Sequence, residues 1–154
     1  MIPEYAMNKQ PASCSIICDH DGIIHHYVCN GLKFDDSWVG NNLTLGFIYK
    51  NQLIGGLIYH DLRPECDVWW TIYTTSPKWC TKSILKSIFG LAFKILKVRR
   101  ISLLVSVDNL SCISLVERLG FKREGCLRQY RDDKKDCYIY GMLKSENKWK
   151  EKNE

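Results

Sequence analysis

This sequence of 154 residues lacks any apolar run long enough to cross a bilayer. Its most apolar stretch, residues 83–96, is interrupted by Lys86 and Lys94 and falls short of the roughly 20 apolar residues that a spanning helix needs. The first 15 residues contain no basic segment followed by an apolar one, so they do not predict a secretory signal. Internal repeats and low-complexity segments are absent as well. The absence of a spanning segment and of a secretory signal predicts a cytoplasmic protein that does not associate with membranes.

The sequence also lacks long runs of one charge. Its net charge is +5 at pH 7, but acidic residues are interspersed with the basic ones, and no Lys/Arg run alternates with aromatic residues. This pattern argues against nucleic-acid binding and leaves a modest attraction to anionic ligands. The composition, 45% hydrophobic and 25% charged, is that of an ordinary globular protein. We therefore predict a single domain over residues 1–149, followed by a frayed tail over 150–154.

Cysteine pairs of the C-x-x-C type are missing, although the chain has eight cysteines. Such pairs bring two thiolates to one metal ion easily, so their absence argues against a zinc site. Most of the cysteines lie in segments predicted as strands or helices, where cysteine packs as a small apolar side chain, and we expect reduced thiols. The nearest approach to a zinc ligand set consists of Cys14, Cys18, His25, His26 and Cys29. We expect no metal ion there.

What the sequence does contain is an ordered series of amphipathic and apolar segments. Apolar residues recur at helical spacing in three of them and form short, β-branched or aromatic runs in the others. Ser76 and Pro77 suit the N-cap and first residue of the second helix, and Gly120 suits the C-cap of the third. The predicted elements are a helix over 21–32, strands over 43–49, 53–60 and 67–75, a helix over 77–96, a strand over 101–107, a helix over 110–119, and a hairpin of strands over 121–130 and 136–143.

The helix over 77–96 connects two apolar strands and is long enough to serve as a crossover. We therefore predict a right-handed βαβ unit in which the strands over 67–75 and 101–107 are parallel. The first of these strands is apolar or aromatic on both faces, as in a central strand covered from both sides. The predicted fold class is α/β (α+β): a mixed sheet made of an antiparallel meander and a parallel central strand pair, with helices on both faces.

The segment over residues 109–125, NLSCISLVERLGFKREG, resembles the C-terminal half of a GNAT acetyltransferase. In that family an Asn at the end of the fifth strand is followed by a helix that closes in Leu-Gly-Phe, and then by Glu-Gly. The closest likeness is to ribosomal-protein N-terminal acetyltransferases and to related small acetyltransferases of phage genomes. The residues that match the family are Asn109, Glu117, Leu119, Gly120, Phe121, Glu124 and Gly125, and those that match the narrower branch are Arg128, Tyr140, Gly141 and Met142.

The resemblance implies that acetyl-coenzyme A binds between the two parallel strands. In the family the pantetheine arm pairs with the first of these strands as an added strand would, which implies contacts with Tyr73 and Thr75. Asn109 would hold the arm from the other strand, and it also suits the N-cap of the following helix. The family's glycine-rich phosphate loop corresponds to residues 76–85, SPKWCTKSIL, which contain no glycine. The residues left to bind the diphosphate at the helix start are Lys78, Thr81, Lys82 and Ser83.

The resemblance also implies where the catalytic groups should lie. The Tyr that protonates the leaving thiolate in many relatives falls at Val116 here. Asn109, Cys112 and Tyr140 are the predicted catalytic residues instead, Cys112 because one branch has Ser at this position. Tyr138, on the same predicted strand as Tyr140, is a further hydroxyl candidate. The general base stays open among five residues: His25, His26, His60, Asp61 and Glu65.

The expected activity is N-acetylation of an amine, either a protein N-terminus or another small or peptidic amine. The sequence leaves a homodimer open. An alternative is a binding or structural module that keeps the GNAT fold but has a degenerate cleft, and the glycine-free loop and Val116 favour that alternative.

Overall fold

A single sheet of seven strands organises the part of the chain that the structure describes. The structure is a computed structural model and describes residues 13–35, 37 and 41–153. Its strands and α-helices are β1 (Ser15–Cys18), α1 (Ile23–Leu32), β2 (Asn42–Tyr49), β3 (Gln52–Arg63), β4 (Asp67–Thr74), α2 (Lys82–Gly90), β5 (Arg100–Ser106), α3 (Leu110–Leu119), β6 (Lys122–Leu127) and β7 (Cys137–Leu143). Short 3-10 turns lie at Pro77–Trp79 and Lys144–Glu146, and a π-helical turn lies at Leu91–Ile95.

The strand order is β1-β2-β3-β4-β5-β7-β6, and β4 and β5 are the one parallel pair among these strands. The predicted parallel pairing and the predicted mixed sheet are therefore confirmed. The sequence prediction missed β1, because its four side chains are exposed or half-buried and lack the alternation that indicates a strand.

Helices cover both faces of the sheet, as predicted. On one face, α2 and α3 enclose an aromatic core in which the ring of Trp70 lies 4.9 Å from Phe89 and 5.9 Å from Phe121, centroid to centroid. On the other face, α1 buries Val28 against Ile58 of β3. Because side chains alternate along a strand, β4 presents Trp70 to α2 and Tyr73 to α1.

The start of the crossover helix differs from the prediction. Ser76 and Pro77 do cap and begin a helical turn, but it is a short 3-10 turn, and α2 begins only at Lys82 with Thr81 as its N-cap. The reason is Trp79, which is buried and stacked on Phe47 at a centroid distance of 5.1 Å. Placing this ring against β2 requires the chain to bend before the helix starts.

Three other boundaries differ from the prediction by three residues or more. β3 continues past residue 60 to Arg63 through a bulge in its pairing with β4. β6 ends at Leu127 rather than at 130, because the Asp136 carboxylate accepts a hydrogen bond from Gln129 N–H (2.8 Å) and turns the chain there. The α-helical part of the crossover ends at Gly90, and the π-helical turn completes it.

Parts of the predicted domain and of the predicted tail lie outside the residues that the structure describes. Residues 1–12, 36 and 38–40 of the predicted domain, and Glu154 of the predicted tail, lie outside the described residues. Within the tail, Glu151 pairs with Lys86 of α2 at 3.0 Å. No helix in the described ranges is long and apolar enough to span a membrane.

Candidate functional site

The two parallel strands separate partway along their length. They pair at four positions, from Asp67 opposite Arg100 to Trp70 opposite Leu103. Beyond that point β4 continues to Thr74 and β5 to Ser106 without pairing to each other. We call the opening between residues 71–74 and 104–106 the wedge. A parallel strand pair that opens in this way leaves backbone groups available to a ligand.

The peptide groups of β4 that face the wedge follow from its pairing with β3. Thr75 N–H donates to Ile54 C=O at 2.8 Å, so Thr75 faces β3. In an antiparallel pair this direction alternates, so Tyr73 also faces β3, while Ile72 and Thr74 face the wedge. The two residues predicted to meet the pantetheine arm, Tyr73 and Thr75, therefore have their own backbone N–H groups turned toward β3. Sequence alone could not show this, because the direction depends on the strand register.

The side chains of these two residues are also engaged. The Tyr73 ring lies against α1, 5.6 Å from the Tyr27 ring, at a place where any side chain on Gly31 would collide with it. Thr75 Oγ1 donates to Ile54 C=O at 3.2 Å. The side chains of Tyr73 and Thr75 thus make contacts within the protein, next to the wedge.

The N-terminus of α2 follows β4 after a short turn, and its first-turn residues are exposed. Thr81 Oγ1 accepts a hydrogen bond from Ile84 N–H at 3.2 Å, while Lys82 and Ser83 are exposed in the first turn. First-turn amides have no acceptor inside their own helix, and the helix dipole adds positive potential there. Lys78, exposed in the preceding turn, adds a positive charge. The four predicted phosphate ligands are therefore gathered at one helix start.

The absence of glycine does not strain this loop. No residue from Asp67 to Leu96 has a positive φ, so the backbone here does not need the left-handed conformation that glycine supplies. Ser76 and Thr81 form the caps instead, each through its hydroxyl oxygen. The loop therefore keeps exposed amides at a helix start with ordinary side chains.

Asn109 lies at the other border of the wedge, after β5. Its Oδ1 accepts hydrogen bonds from Cys112 N–H and Ser111 Oγ, both at 3.2 Å, and so it forms the N-cap of α3. This geometry leaves the amide nitrogen as the donor that Asn109 can offer a ligand. Burial raises the pKa of the Cys112 thiol to about 11, so this thiol keeps its proton at neutral pH.

The hydroxyl of Tyr140 has two hydrogen-bond partners of its own. Its hydroxyl donates to Glu117 Oε1 at 2.9 Å and accepts from Arg123 Nε at 3.0 Å. Burial raises the pKa of this phenol, and the Arg123 hydrogen bond opposes that shift. The Tyr140 hydroxyl is therefore engaged by Glu117 and Arg123. Val116, where many relatives have the catalytic Tyr, is 2% exposed and belongs to the core.

Among the candidates for the general base, His60 has a hydrogen-bond contact at each of its two ring nitrogens. Its Nδ1 lies 2.7 Å from Asp61 Oδ2, and its Nε2 lies 2.9 Å from Thr71 Oγ1, at the closed end of the wedge. Glu65 is exposed in the β3–β4 turn, and His25 Nδ1 lies 3.2 Å from Asn42 Oδ1. Thr71 was missed at the sequence level because its contact with His60 depends on the register of β3 and β4. Within the described residues, no group of three or more His, Cys, Asp or Glu side chains is placed to hold a metal ion.

Solved structures similar to this one are acetyltransferases. A probable acetyltransferase matches with a TM-score of 0.61 and 23% identity, over 69% of this chain and 64% of its own. A putative acetyltransferase from T. thermophilus matches with a TM-score of 0.60 and 23% identity, over 69% of this chain and 61% of its own. A variant of the spermidine N-acetyltransferase SpeG from Vibrio cholerae matches with a TM-score of 0.73 and 16% identity, over 94% of this chain and 100% of its own. The chain has the GNAT fold.

The likeness to these structures is one of fold. This chain spans less than two thirds of the first two structures, 64% and 61% of their lengths. No protein-family model matches the sequence, and no curated protein matches it. The narrower resemblance, to the ribosomal-protein and phage branch of the GNAT fold, stays a prediction.

Proposed function

We propose that this protein is an N-acetyltransferase that transfers an acetyl group from acetyl-coenzyme A to an amine. The observation that carries the proposal is the wedge between β4 and β5 with the N-terminus of α2 at its open end. Unpaired strand edges suit the amides of a pantetheine arm, and a positive helix start suits a diphosphate. The solved structures with a similar fold are named as acetyltransferases, which supports the same activity.

The residues fit this co-substrate in three places. The Ile72 and Thr74 peptide groups would pair with the arm, because they face the wedge. The amides of Lys82 and Ser83 would hold the diphosphate, and the Lys78 and Lys82 side chains would add charge attraction. The Asn109 amide nitrogen would donate to the arm from the β5 side. Acetyl-coenzyme A supplies the thioester whose acetyl group is transferred.

The acceptor amine would approach from the opposite face. Both α2 and α3 pack on one face of the sheet, so their N-termini direct the co-substrate to that face, and α1 covers only part of the other. We propose an amine of low pKa as the acceptor, such as the α-amine of a peptide. Neutralising an α-amine of pKa ~7.7–8.0 at pH 7 costs about 1.0–1.4 kcal/mol, against roughly 4.6 kcal/mol for a lysine amine of pKa ~10.4. The net charge of +5 also disfavours a polycationic acceptor such as spermidine.

A second candidate is a GNAT-fold binding module without catalysis. Val116 in the core and the engaged hydroxyl of Tyr140 favour it, because neither position offers a free phenol to the leaving thiolate. In this case the wedge would bind acetyl-coenzyme A or a similar ligand without turnover.

Calorimetric titration and thermal shift with acetyl-coenzyme A test the proposal. An excess of about 100-fold over Kd should stabilise the protein by about 2.7 kcal/mol. Acetyl-pantetheine, which lacks the diphosphate, is the matched ligand and should bind more weakly if the α2 start is used. Thiol release should then follow with an alanine-initiated tetrapeptide as acceptor. Binding without thiol release from any of several amines would favour the module. No binding at millimolar acetyl-coenzyme A would contradict the acetyltransferase and favour a module with a degenerate cleft.

A further inference from the structure

A threonine, a histidine and an aspartate form a hydrogen-bonded chain at the closed end of the wedge. Thr71 Oγ1 lies 2.9 Å from His60 Nε2, and His60 Nδ1 lies 2.7 Å from Asp61 Oδ2. The His60 side chain is 7% exposed, whereas that of Asp61 is 73% exposed and Thr71 is half-buried. The chain thus runs from solvent, through a buried imidazole, to a hydroxyl on β4.

The partners of His60 fix the direction of the hydrogen bonds. An ionised carboxylate can only accept, so the hydrogen at Nδ1 points to Asp61. In the neutral imidazole Nε2 is then the acceptor, and the Thr71 hydroxyl donates to it. This is the less common tautomer of histidine, and here Asp61 selects it. A hydroxyl that donates to an unprotonated imidazole nitrogen can pass its proton there and take another from a neighbour.

The backbone places Asp61 for this contact. Asp61 has a φ of 49°, a left-handed conformation, and lies in the bulge that interrupts the pairing of β3 with β4. A regular strand would turn the side chains of His60 and Asp61 to opposite faces of the sheet. The bulge instead brings the carboxylate back to the imidazole next to it. Bulges of this kind often re-aim a side chain beside a functional site.

The hydroxyl lies where an acceptor would meet the co-substrate. Trp70 is the last residue of β4 that pairs with β5, so Thr71 is the first residue of the wedge. Its side chain points to the α1 face, opposite to the face of α2 and α3, as does that of Tyr73 two residues later. An amine that enters from the α1 face would therefore meet the Thr71 hydroxyl at the point where the strands separate.

We propose that Thr71, His60 and Asp61 form a proton relay that neutralises the acceptor amine. The proposal rests on the acetyl transfer proposed above. An ammonium group gives one proton to Thr71 Oγ1 while the hydroxyl proton moves to His60 Nε2, and Asp61 stabilises the imidazolium. The neutral nitrogen then forms a bond to the acetyl carbon, and the bond from that carbon to sulfur breaks. The second amine proton leaves with the thiolate as the free thiol, and His60 returns its proton to solvent.

Few other titratable groups surround this chain in the described residues. On β3 and β4, Arg63 and Asp67 form an ion pair with each other at 2.6 Å. β2 places the uncharged Asn42 opposite His60, and Asn42 Oδ1 in turn lies 3.2 Å from His25 Nδ1 of α1. α1, which packs on this face, contributes the titratable groups His25, His26, Tyr27 and Cys29. Of the histidines on this face, His60 is therefore the one that a hydrogen bond with Thr71 connects to the wedge.

Thr71→Val is the decisive variant, because it keeps the shape and strand preference of threonine and removes the hydroxyl. Thr71→Ser is its matched control. Thiol release is measured with acetyl-coenzyme A and an alanine-initiated tetrapeptide at pH 7 and pH 9.5, and also without amine, when water takes the place of the acceptor. Acetyl-coenzyme A affinity and thermal stability are measured for each variant. Nitrogen NMR of histidine-labelled protein, assigned with His60→Gln, reports the tautomer of His60.

The relay predicts that Thr71→Val lowers kcat at pH 7 by at least about 10-fold, since positioned bases contribute roughly 100-fold or more. The deficit should shrink at pH 9.5, where an α-amine of pKa ~8 is neutral without help. Thr71→Ser should stay close to wild type, affinity for acetyl-coenzyme A should not change, and His60 should carry its proton on Nδ1. A merely structural role would give the same deficit at both pH values.

Four results would overturn the relay: wild-type kcat in Thr71→Val at pH 7, an equal deficit at both pH values, a His60 proton on Nε2, or an acetylated Thr71 in a quenched reaction. The last result would make Thr71 a nucleophile. Wild-type protein that fails to bind acetyl-coenzyme A would instead remove the proposed function, and the relay with it. The two failures are thus distinguishable, because the variants leave binding intact.

Discussion

The two halves of β4 belong to one strand but have opposite properties. Residues 67–70 pair with β5, and three of these four are buried, including Val68 at 0% exposure. Residues 71–74 do not pair with β5, and all four are half-buried. The first half fastens the two parts of the sheet together, and the second half leaves backbone groups for a ligand. The proposed function therefore assigns stability and binding to adjacent segments of one strand, and substitutions should separate the two.

The largest effect is expected in the paired half. Ile101→Ala removes a fully buried side chain opposite Val68 and should lower the free energy of unfolding by about 2–5 kcal/mol. Urea unfolding followed by circular dichroism measures it. Leu104→Ala, in the open half where the side chain is half-buried, is the control and should cost clearly less. Equal losses at the two positions would show that the halves do not differ in stability.

A pair of proline substitutions tests the open half. Thr74→Pro deletes an N–H that faces the wedge, and should weaken acetyl-coenzyme A binding about 10-fold, roughly the net worth of one hydrogen bond. Thr75→Pro deletes an N–H that donates to Ile54 C=O and should cost about 1–3 kcal/mol of stability. Calorimetric titration and urea unfolding separate the two. If Thr74→Pro binds as wild type does, the peptide groups of β4 do not hold the arm.

Asn109 tests the β5 border of the wedge. Asn109→Asp keeps the oxygen that caps α3 but loses the amide donor, so stability should hold while kcat/KM for acetyl-coenzyme A falls about 10-fold. Asn109→Ala should lose the same activity and also about 0.5–2 kcal/mol of stability. Steady-state kinetics and thermal unfolding measure both. Wild-type kcat/KM in the Asp variant would mean that Asn109 is a cap and nothing more.

The smallest effect is expected at the helix start. Lys82→Glu replaces an attractive charge by a repulsive one beside the first-turn amides, so acetyl-coenzyme A should bind several-fold more weakly at low salt. Lys94→Glu makes the same change in net charge at the far end of the crossover and should have little effect. Titration at low and high salt measures the difference. Equal affinities in the two variants would place the diphosphate away from α2.

The parts of the fold that follow from local pattern could be predicted from the sequence. The crossover between two apolar strands required parallel pairing, and Asn109 and Gly120 are recognisable caps of α3. The first strand escaped prediction because it is short and mostly exposed. The start of α2 was misplaced because the stacking of Trp79 on Phe47, not local propensity, decides it.

The candidate site was less accessible to sequence reasoning. Its proposed phosphate ligands are close together in sequence, so sequence reasoning could place them on one helix start. The direction of each β4 peptide group depends on the register with β3, and the length of the wedge depends on where β4 and β5 separate. The contact of Thr71 with His60 depends on both the register and the bulge at Asp61. These are properties of strand pairing, which the sequence of one strand does not contain.

Amide hydrogen exchange by NMR, with and without acetyl-coenzyme A, tests the central claim most directly. If the wedge and the α2 start bind this ligand, the amides of Ile72, Thr74, Lys82 and Ser83 should become protected. Thr75, already bonded to Ile54, should change little and serves as the internal control. Unchanged exchange at all four amides with saturating acetyl-coenzyme A would contradict the claim that the open half of β4 is a binding site.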